Sequence, residues 1–158
     1  MGANQEQTVR GKAALMKTDR LCPWAIVLVA VSLLFGDPAL ADGDLAKRAE
    51  RLPELVLNAA NGFSIKEYRL ETGKYYRWRI VSDGREEYRL LAPELFRNSW
   101  IDQISIEDKV VETTGLVAVE FDDDGEVDVW FLPVRPGTYE FFVENLRTQG
   151  FTGRFIVE

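Results

Sequence analysis

The sequence predicts an all-β protein, an antiparallel β-sandwich, and three observations favour this fold class. From Pro53 onward, short runs of alternating apolar and polar residues recur at the spacing of roughly 8–12 residues that is typical of sandwiches. Clusters of Gly, Asn, Asp and Pro separate these runs. No helical pattern in this part of the chain is long enough to provide the crossovers that parallel strands require.

The predicted strands are short, and each ends at a turn signal. In chain order they span residues 54–58, 63–70, 75–81, 87–91, 101–106, 116–121, 127–132, 138–143 and 153–157. The clearest is 75–81, where Tyr76, Trp78 and Ile80 share one face. Most aromatic residues, Trp130 included, are therefore expected in the core.

Two connections in the second half have recognisable chemistry. Pro93 at an early position predicts a helical turn over residues 93–100. Residues 122–125 read Asp-Asp-Asp-Gly between two apolar strands, which predicts a hairpin turn in which Gly125 accepts a positive φ.

The first 41 residues are predicted to be a signal peptide. Several basic residues precede an apolar run over residues 25–35, and Ala39-Leu40-Ala41 is a small-x-small cleavage site. A helix of this run would extend only about 17 Å, which is too short for a bilayer core of roughly 30 Å. The pattern that begins at Met16 already has the ordinary length of a signal, so Met16 is an alternative start. We therefore expect a periplasmic or secreted protein that is not inserted in the membrane after cleavage.

Residues 42–52 are charged, and they are predicted to form a short N-terminal helical segment or a mobile leader. Asp44 is a suitable N-cap, and Pro53 would end the helix. The remaining residues, 53–158, form the predicted sandwich domain.

The composition of the mature part excludes several functions. The chain has no histidine, and its sulfur-bearing residues are Met1, Met16 and Cys22, so residues 42–158 contain none. Nucleophile–base pairs that use His or Cys are therefore impossible, and we do not expect an enzyme. The formal net charge of −7 disfavours nucleic acid and anionic lipid, and it favours a basic protein partner or cations. We expect a monomer.

Two runs near the C-terminus carry a resemblance to a known family. Residues 135–143 read RPGTYEFFV, and residues 150–157 read GFTGRFIV. They resemble the last two strands of the cupredoxin family, whose members read P-G-x-Y-x-F-x-C, then a loop with His, then G-M-x-G. A looser resemblance extends over residues 53–158. It implies that the β-sandwich has Greek-key topology.

The same resemblance implies a copper site made of two histidines, a cysteine and usually a methionine, which suit copper in both redox states. Position by position, the cysteine falls on Val143, the loop histidine on Leu146 and the methionine on Phe151, and the first histidine lies near Tyr88. Val, Leu and Phe cannot bind a metal. We therefore expect no cofactor, and we predict an accessory or interaction module that has lost its type 1 copper site and serves an unidentified periplasmic protein.

A second hypothesis is a hard-metal binding or delivery protein. The chain also resembles cupredoxin-like domains of bacterial iron-uptake proteins, in which carboxylates at the sandwich end serve as ligands. The corresponding residues here would bind iron or Cu(II), and they are Glu86, Glu87, Tyr88 and Glu144. The acidic run over residues 120–128 is a separate candidate for Ca²⁺ or Mg²⁺, but alternating side chains on a hairpin would not all converge.

Two surface hypotheses concern partners. An exposed aromatic patch for partner binding would consist of Tyr75, Phe96, Trp100 and Phe142. A basic strip across neighbouring strands, suited to a carboxylate-bearing partner, would consist of Arg77, Arg79, Arg85 and Arg89.

Overall fold

The computed structural model describes residues 47–158, so the predicted signal peptide and the first five residues of the predicted leader lie outside the described residues. The described part is built from short strands with one α-helix and one 3-10 helix. In chain order the elements are β1 (Glu50–Arg51), β2 (Leu55–Asn58), β3 (Gly62–Phe63), β4 (Glu67–Leu70), β5 (Tyr76–Asp83), β6 (Tyr88–Leu91), α1 (Pro93–Arg97), β7 (Ser99–Ile106), β8 (Lys109–Val111), β9 (Ala118–Phe121), β10 (Asp124–Pro133), β11 (Gly137–Val143), the 3-10 helix (Arg147–Gln149) and β12 (Thr152–Val157).

The strands form two sheets, which confirms the predicted β-sandwich. Sheet A has the order β3-β2-β5-β10-β7-β8, with β1 also paired to β5, and sheet B has the order β4-β12-β11-β6-β9. Most pairs are antiparallel, but β1 and β2 run parallel to β5, and β4 runs parallel to β12. β1 and β2 pair with successive parts of one edge of β5. Pro53, which has no N–H to donate, lies in the break between them.

An aromatic cluster fills the space between the sheets. Burial alternates strictly along β5, as the sequence predicts, so that Trp78 points inward and is fully buried. Its ring packs edge-on against Phe155 with centroids 5.0 Å apart, and against Phe141 at 5.7 Å. Gly153 makes this packing possible, since a Cβ there would lie 2.3 Å from the Phe141 ring.

Two sequence predictions are wrong because the chain crosses from one sheet to the other, where a continuous strand and a hairpin were expected. The predicted strand 63–70 is two strands, because the chain crosses from β3 in sheet A to β4 in sheet B. The predicted hairpin at residues 122–125 is another crossing, from β9 in sheet B to β10 in sheet A. Gly125 accordingly lies within β10 and does not have a positive φ.

The predicted helices are shorter than expected. The helix α1 ends at Arg97, and Ser99 and Trp100 already belong to β7. At the start of the domain, residues 50–51 form a strand and not a helix. The Glu50 N–H donates to the Tyr75 carbonyl at 2.9 Å, and the Leu52 N–H donates to the Arg77 carbonyl at 2.9 Å, which satisfies an edge of β5. Among residues 47–158, no helix has the length and apolar character needed to span a membrane.

Candidate functional site

The positions that correspond to the copper ligands of the cupredoxin family lie together at one end of the sandwich. A chain of backbone hydrogen bonds joins them: the Val143 N–H donates to the Phe151 carbonyl at 3.1 Å, and the Leu146 N–H donates to the Val143 carbonyl at 3.2 Å. The Phe151 N–H donates to the Leu146 carbonyl at 3.4 Å. Gly150 has a φ of 88°, a left-handed conformation that closes the loop before β12. The structure therefore brings these positions together as the resemblance implies.

The side chains at these positions are part of the hydrophobic core. Val143 and Phe151 are buried, and Leu146 packs against the core. The Phe151 ring lies 5.3 Å from the Tyr88 ring and 5.4 Å from the Phe63 ring between centroids. These side chains offer hydrocarbon where copper needs imidazole and sulfur donors, and residues 47–158 contain no His, Cys or Met. The residues present do not fit a type 1 copper centre.

Tyr88 is buried beneath this end and is not available to a metal at the surface. Its hydroxyl donates to Asp83 Oδ1 at 2.8 Å. Asp83 also accepts the Ala59 N–H at 3.0 Å and the Arg85 N–H at 3.2 Å. Burial and the bond to Asp83 together raise the pKa of Tyr88 well above its ordinary value. Burial opposes ionisation of Asp83, but these hydrogen bonds prevail and lower its pKa.

Above these residues lies an open cleft of about 580 Å³, which we call the apical cleft. It is lined by residues 84–87, Arg89, Glu120, Asp122 and residues 143–146. Three of the four predicted metal ligands, Glu86, Glu87 and Glu144, line it, whereas Tyr88 does not. Arg89 Nη1 donates a hydrogen bond to Glu144 Oε2 at 2.7 Å, so this carboxylate is already in an ion pair. Nowhere in residues 47–158 do three or more His, Cys, Asp or Glu side chains converge as a metal site requires.

The acidic run over residues 120–128 lies beside a second cleft of about 290 Å³, which we call the lateral cleft. It separates β7 in sheet A from β9 in sheet B, and it is lined by Ile104, Ile106, Glu107, Leu116 and residues 118–127. Glu120 and Asp122 stand between the two clefts and line both. The carboxylates of the run are spread along a crossing between sheets.

The four aromatic residues of the predicted patch do not form one surface. Phe96 is buried in α1, and Phe142 lies on sheet B beneath the Arg147 guanidinium, 3.4 Å from its ring centroid. Trp100 belongs to β7 of sheet A and not to the predicted helical turn, and its side chain is 46% exposed. Tyr75 donates a short hydrogen bond to Asp102. The patch is therefore divided between the core and two different sheets.

The predicted basic strip is also divided between the two sheets, and its member Arg85 lines the apical cleft. Arg89 belongs to sheet B, whereas Arg77 and Arg79 lie on the outer face of sheet A and share Asp128. The Arg77 Nη2 to Asp128 Oδ2 distance is 2.5 Å, and the corresponding Arg79 distance is 2.8 Å. Asp128 is only 5% exposed, yet its two arginines outweigh the effect of burial and lower its pKa. Sequence reasoning missed this group, although Asp128 is a charge between two valines in an apolar strand.

The outer face of sheet A also corrects the placement of one tryptophan. Trp130 was expected in the core, but it points outward and is partly exposed. Its ring lies under the Arg77 guanidinium at 5.0 Å, a cation–π contact that adds to the group around Asp128.

Comparison with known proteins supports the fold alone. No family model matches the chain, and no curated protein matches it. Among solved structures, a laccase from Pediococcus acidilactici aligns with a TM-score of 0.57 at 10% identity over 79% of this chain and 30% of its own. A multi-copper oxidase from Pseudomonas thermotolerans aligns with a TM-score of 0.53 at 12% identity over 78% and 33%. A multicopper oxidase from Campylobacter jejuni gives 0.51 at 9% identity over 70% and 30%.

These neighbours are cupredoxin-fold proteins, so the predicted cupredoxin-type fold is confirmed. The chain spans about a third of the length of each of these three structures.

Proposed function

We propose that this cupredoxin-like chain is an exported, non-catalytic interaction module that has lost the type 1 copper site of its fold. One observation carries the proposal: apolar side chains that pack into the core occupy the three ligand positions. Val143 and Phe151 are buried, and Leu146 packs against them from the loop. Burial of such side chains contributes about 1.5–3 kcal/mol each to stability. This end of the sandwich thus stabilises the fold, and the protein would bind its partner through its exposed surfaces.

Metal content tests this proposal directly. Residues 42–158 are purified from the periplasm without chelator, analysed for metal, and then titrated with Cu²⁺, Fe³⁺ and Ca²⁺. We expect no stoichiometric binding of any of these ions. A blue-copper absorption band, or stoichiometric binding of any of these ions, would contradict the proposal.

A second candidate is a hard-metal binding or delivery protein, and the apical cleft is the observation in its favour. Five carboxylates line this cleft against two arginines, Arg85 and Arg89. Oxygen ligands of this kind suit Fe³⁺, or Cu²⁺ held less tightly. This candidate predicts micromolar binding that is lost in the variant Glu86→Gln, Glu87→Gln, Glu144→Gln. The matched control, Glu94→Gln, Glu140→Gln, Glu158→Gln, removes the same charge outside the cleft and should bind normally.

Export is a separate part of the proposal. The first residues read as a signal that ends at Ala41. Mass spectrometry of the protein recovered from a periplasmic fraction should give Asp42 as the first residue. Recovery of an uncleaved chain from the cytoplasm would contradict this part and leave the copper argument intact.

A further inference from the structure

The edge of sheet B at β9 is open. β9 pairs with β6 along one side, with Tyr88 opposite Phe121 and Leu91 opposite Ala118. In the part of the chain that the structure describes, no backbone hydrogen bond is made by its other side. A free strand edge is a row of donors and acceptors that can pair with another chain. The backbone of residues 118–121 is therefore a template for one further strand.

The lateral cleft next to this edge has an apolar interior. Ile106, which lines the cleft from the facing sheet, is 43% exposed. Leu116 is partly buried against the core. A strand added to β9 would lay alternate side chains against these residues, because side chains of a strand alternate between its two faces.

The charge at the cleft is of one sign. Six carboxylates line the lateral cleft, from Glu107 through Glu126, and no lysine or arginine lines it. Glu107 pairs with Lys109 at 3.4 Å and Glu126 with Arg79 at 3.1 Å. Within residues 47–158, no ion pair involves the three aspartates at positions 122–124.

This charge decides between two occupants of the open edge. A second copy of the chain would bring the same carboxylates against these, and like charges opposite each other in a sheet are destabilising. A positively charged segment would be attracted and steered to the edge, and each of its apolar residues could enter the cleft. The surface therefore disfavours self-association and suits a basic partner.

We propose that the free edge of β9 and the lateral cleft bind an extended segment of a partner protein, in which basic and apolar residues alternate, by strand addition. Main-chain hydrogen bonds to residues 118–121 would provide affinity, and the acidic rim and apolar interior would select the sequence. This inference rests on the proposed function, because it assigns the surface that the interaction module uses.

The test uses a capped, dye-labelled hexapeptide of alternating lysine and valine, titrated into metal-free residues 42–158 and followed by fluorescence anisotropy. We expect saturable one-to-one binding that weakens steeply with salt. The variant Asp123→Lys, Asp124→Lys should weaken it by about tenfold or more. The matched control Glu86→Lys, Glu87→Lys makes the same change in net charge at the apical cleft, and it should bind within about twofold of wild type.

Backbone pairing is tested separately from charge. The same peptide methylated on alternate backbone nitrogens keeps its charge but loses donors, and we expect it to bind about tenfold more weakly. Bound unmodified peptide should slow hydrogen exchange at residues 118–121.

Three results would overturn the inference: equal weakening by the two charge variants, full binding of the methylated peptide, or a dimer of this chain through β9 in sedimentation equilibrium. None of these bears on the proposed function, whose failure would appear as stoichiometric metal binding in the separate titration.

Discussion

The apical and lateral clefts share a wall, at Glu120 and Asp122, yet they differ in two ways. Two arginines offset part of the carboxylate charge of the apical cleft, as in the 2.7 Å pair of Arg89 with Glu144, and buried aromatic side chains close it from below. The lateral cleft has no basic lining residue and borders a free strand edge. The end of the fold that corresponds to the copper site of the cupredoxin family is filled by packed side chains, whereas the side of the sandwich leaves one edge of β9 unpaired.

The largest effect on stability should follow from truncating a side chain that is buried beneath the apical cleft. Phe151→Ala removes a fully buried ring that contacts Phe63 and Tyr88, and we expect the free energy of unfolding to fall by about 3–5 kcal/mol. Val117→Ala, at an exposed position beside the lateral cleft, should change it by less than about 0.5 kcal/mol. Urea unfolding measures both. Similar losses of stability in the two variants would show that the side chain beneath the apical cleft stabilises the fold no more than the one beside the lateral cleft.

The next effect concerns the bond between Tyr88 and Asp83 under the apical cleft. Tyr88→Phe should lower the free energy of unfolding by about 1–3 kcal/mol near neutral pH, because it removes a hydrogen bond to a charged group. The pKa of folded Asp83 is below its ordinary value, so its stabilisation is present above about pH 4 and is lost as the pH falls through that lowered pKa. The variant should therefore lose less stability than wild type on acidification below pH 4.

Tyr139→Phe is the control for that titration. The Tyr139 hydroxyl donates to the backbone carbonyls of Arg135 and Pro136, at 3.0 and 3.2 Å, and it has no hydrogen bond to a carboxylate among residues 47–158. Its loss of stability should be the same at every pH. A pH-independent effect of Tyr88→Phe would show that Asp83 is not the group involved.

Backbone strain also distinguishes the two clefts, and its release is a smaller effect. Glu107, on the lateral cleft, has a φ of 53°, a positive value shared by no other non-glycine residue among residues 47–158. Glu107→Gly should raise the free energy of unfolding by about 1 kcal/mol, since glycine adopts this conformation without strain. Glu107→Gln retains the strain and should leave stability nearly unchanged. Thermal unfolding of the two variants decides whether strain or charge is responsible.

Much of the fold could be predicted because alternation reports which face of a strand is buried. Tyr76, Trp78 and Ile80 point inward as their spacing indicates, and Val143 and Phe151 meet at one end. Alternation does not report which sheet a strand joins, so residues 122–125 were interpreted as a hairpin when they cross between sheets. The free edge of β9 follows from that crossing, and local sequence patterns contain no signal for it.

The smallest expected effect is on peptide affinity, and it tests whether charge or strand pairing distinguishes the two clefts. Arg85→Gln with Arg89→Gln removes the basic residues of the apical cleft and makes it as one-sided in charge as the lateral cleft. Among the strands that line it, β6 pairs with β11 on one side and with β9 on the other, so the apical cleft has no unpaired strand edge between them. We expect the affinity for the lysine–valine peptide to rise by less than about twofold, with one binding site retained. A second site of similar affinity would show that carboxylates alone recruit the basic segment and that the free edge of β9 is not required.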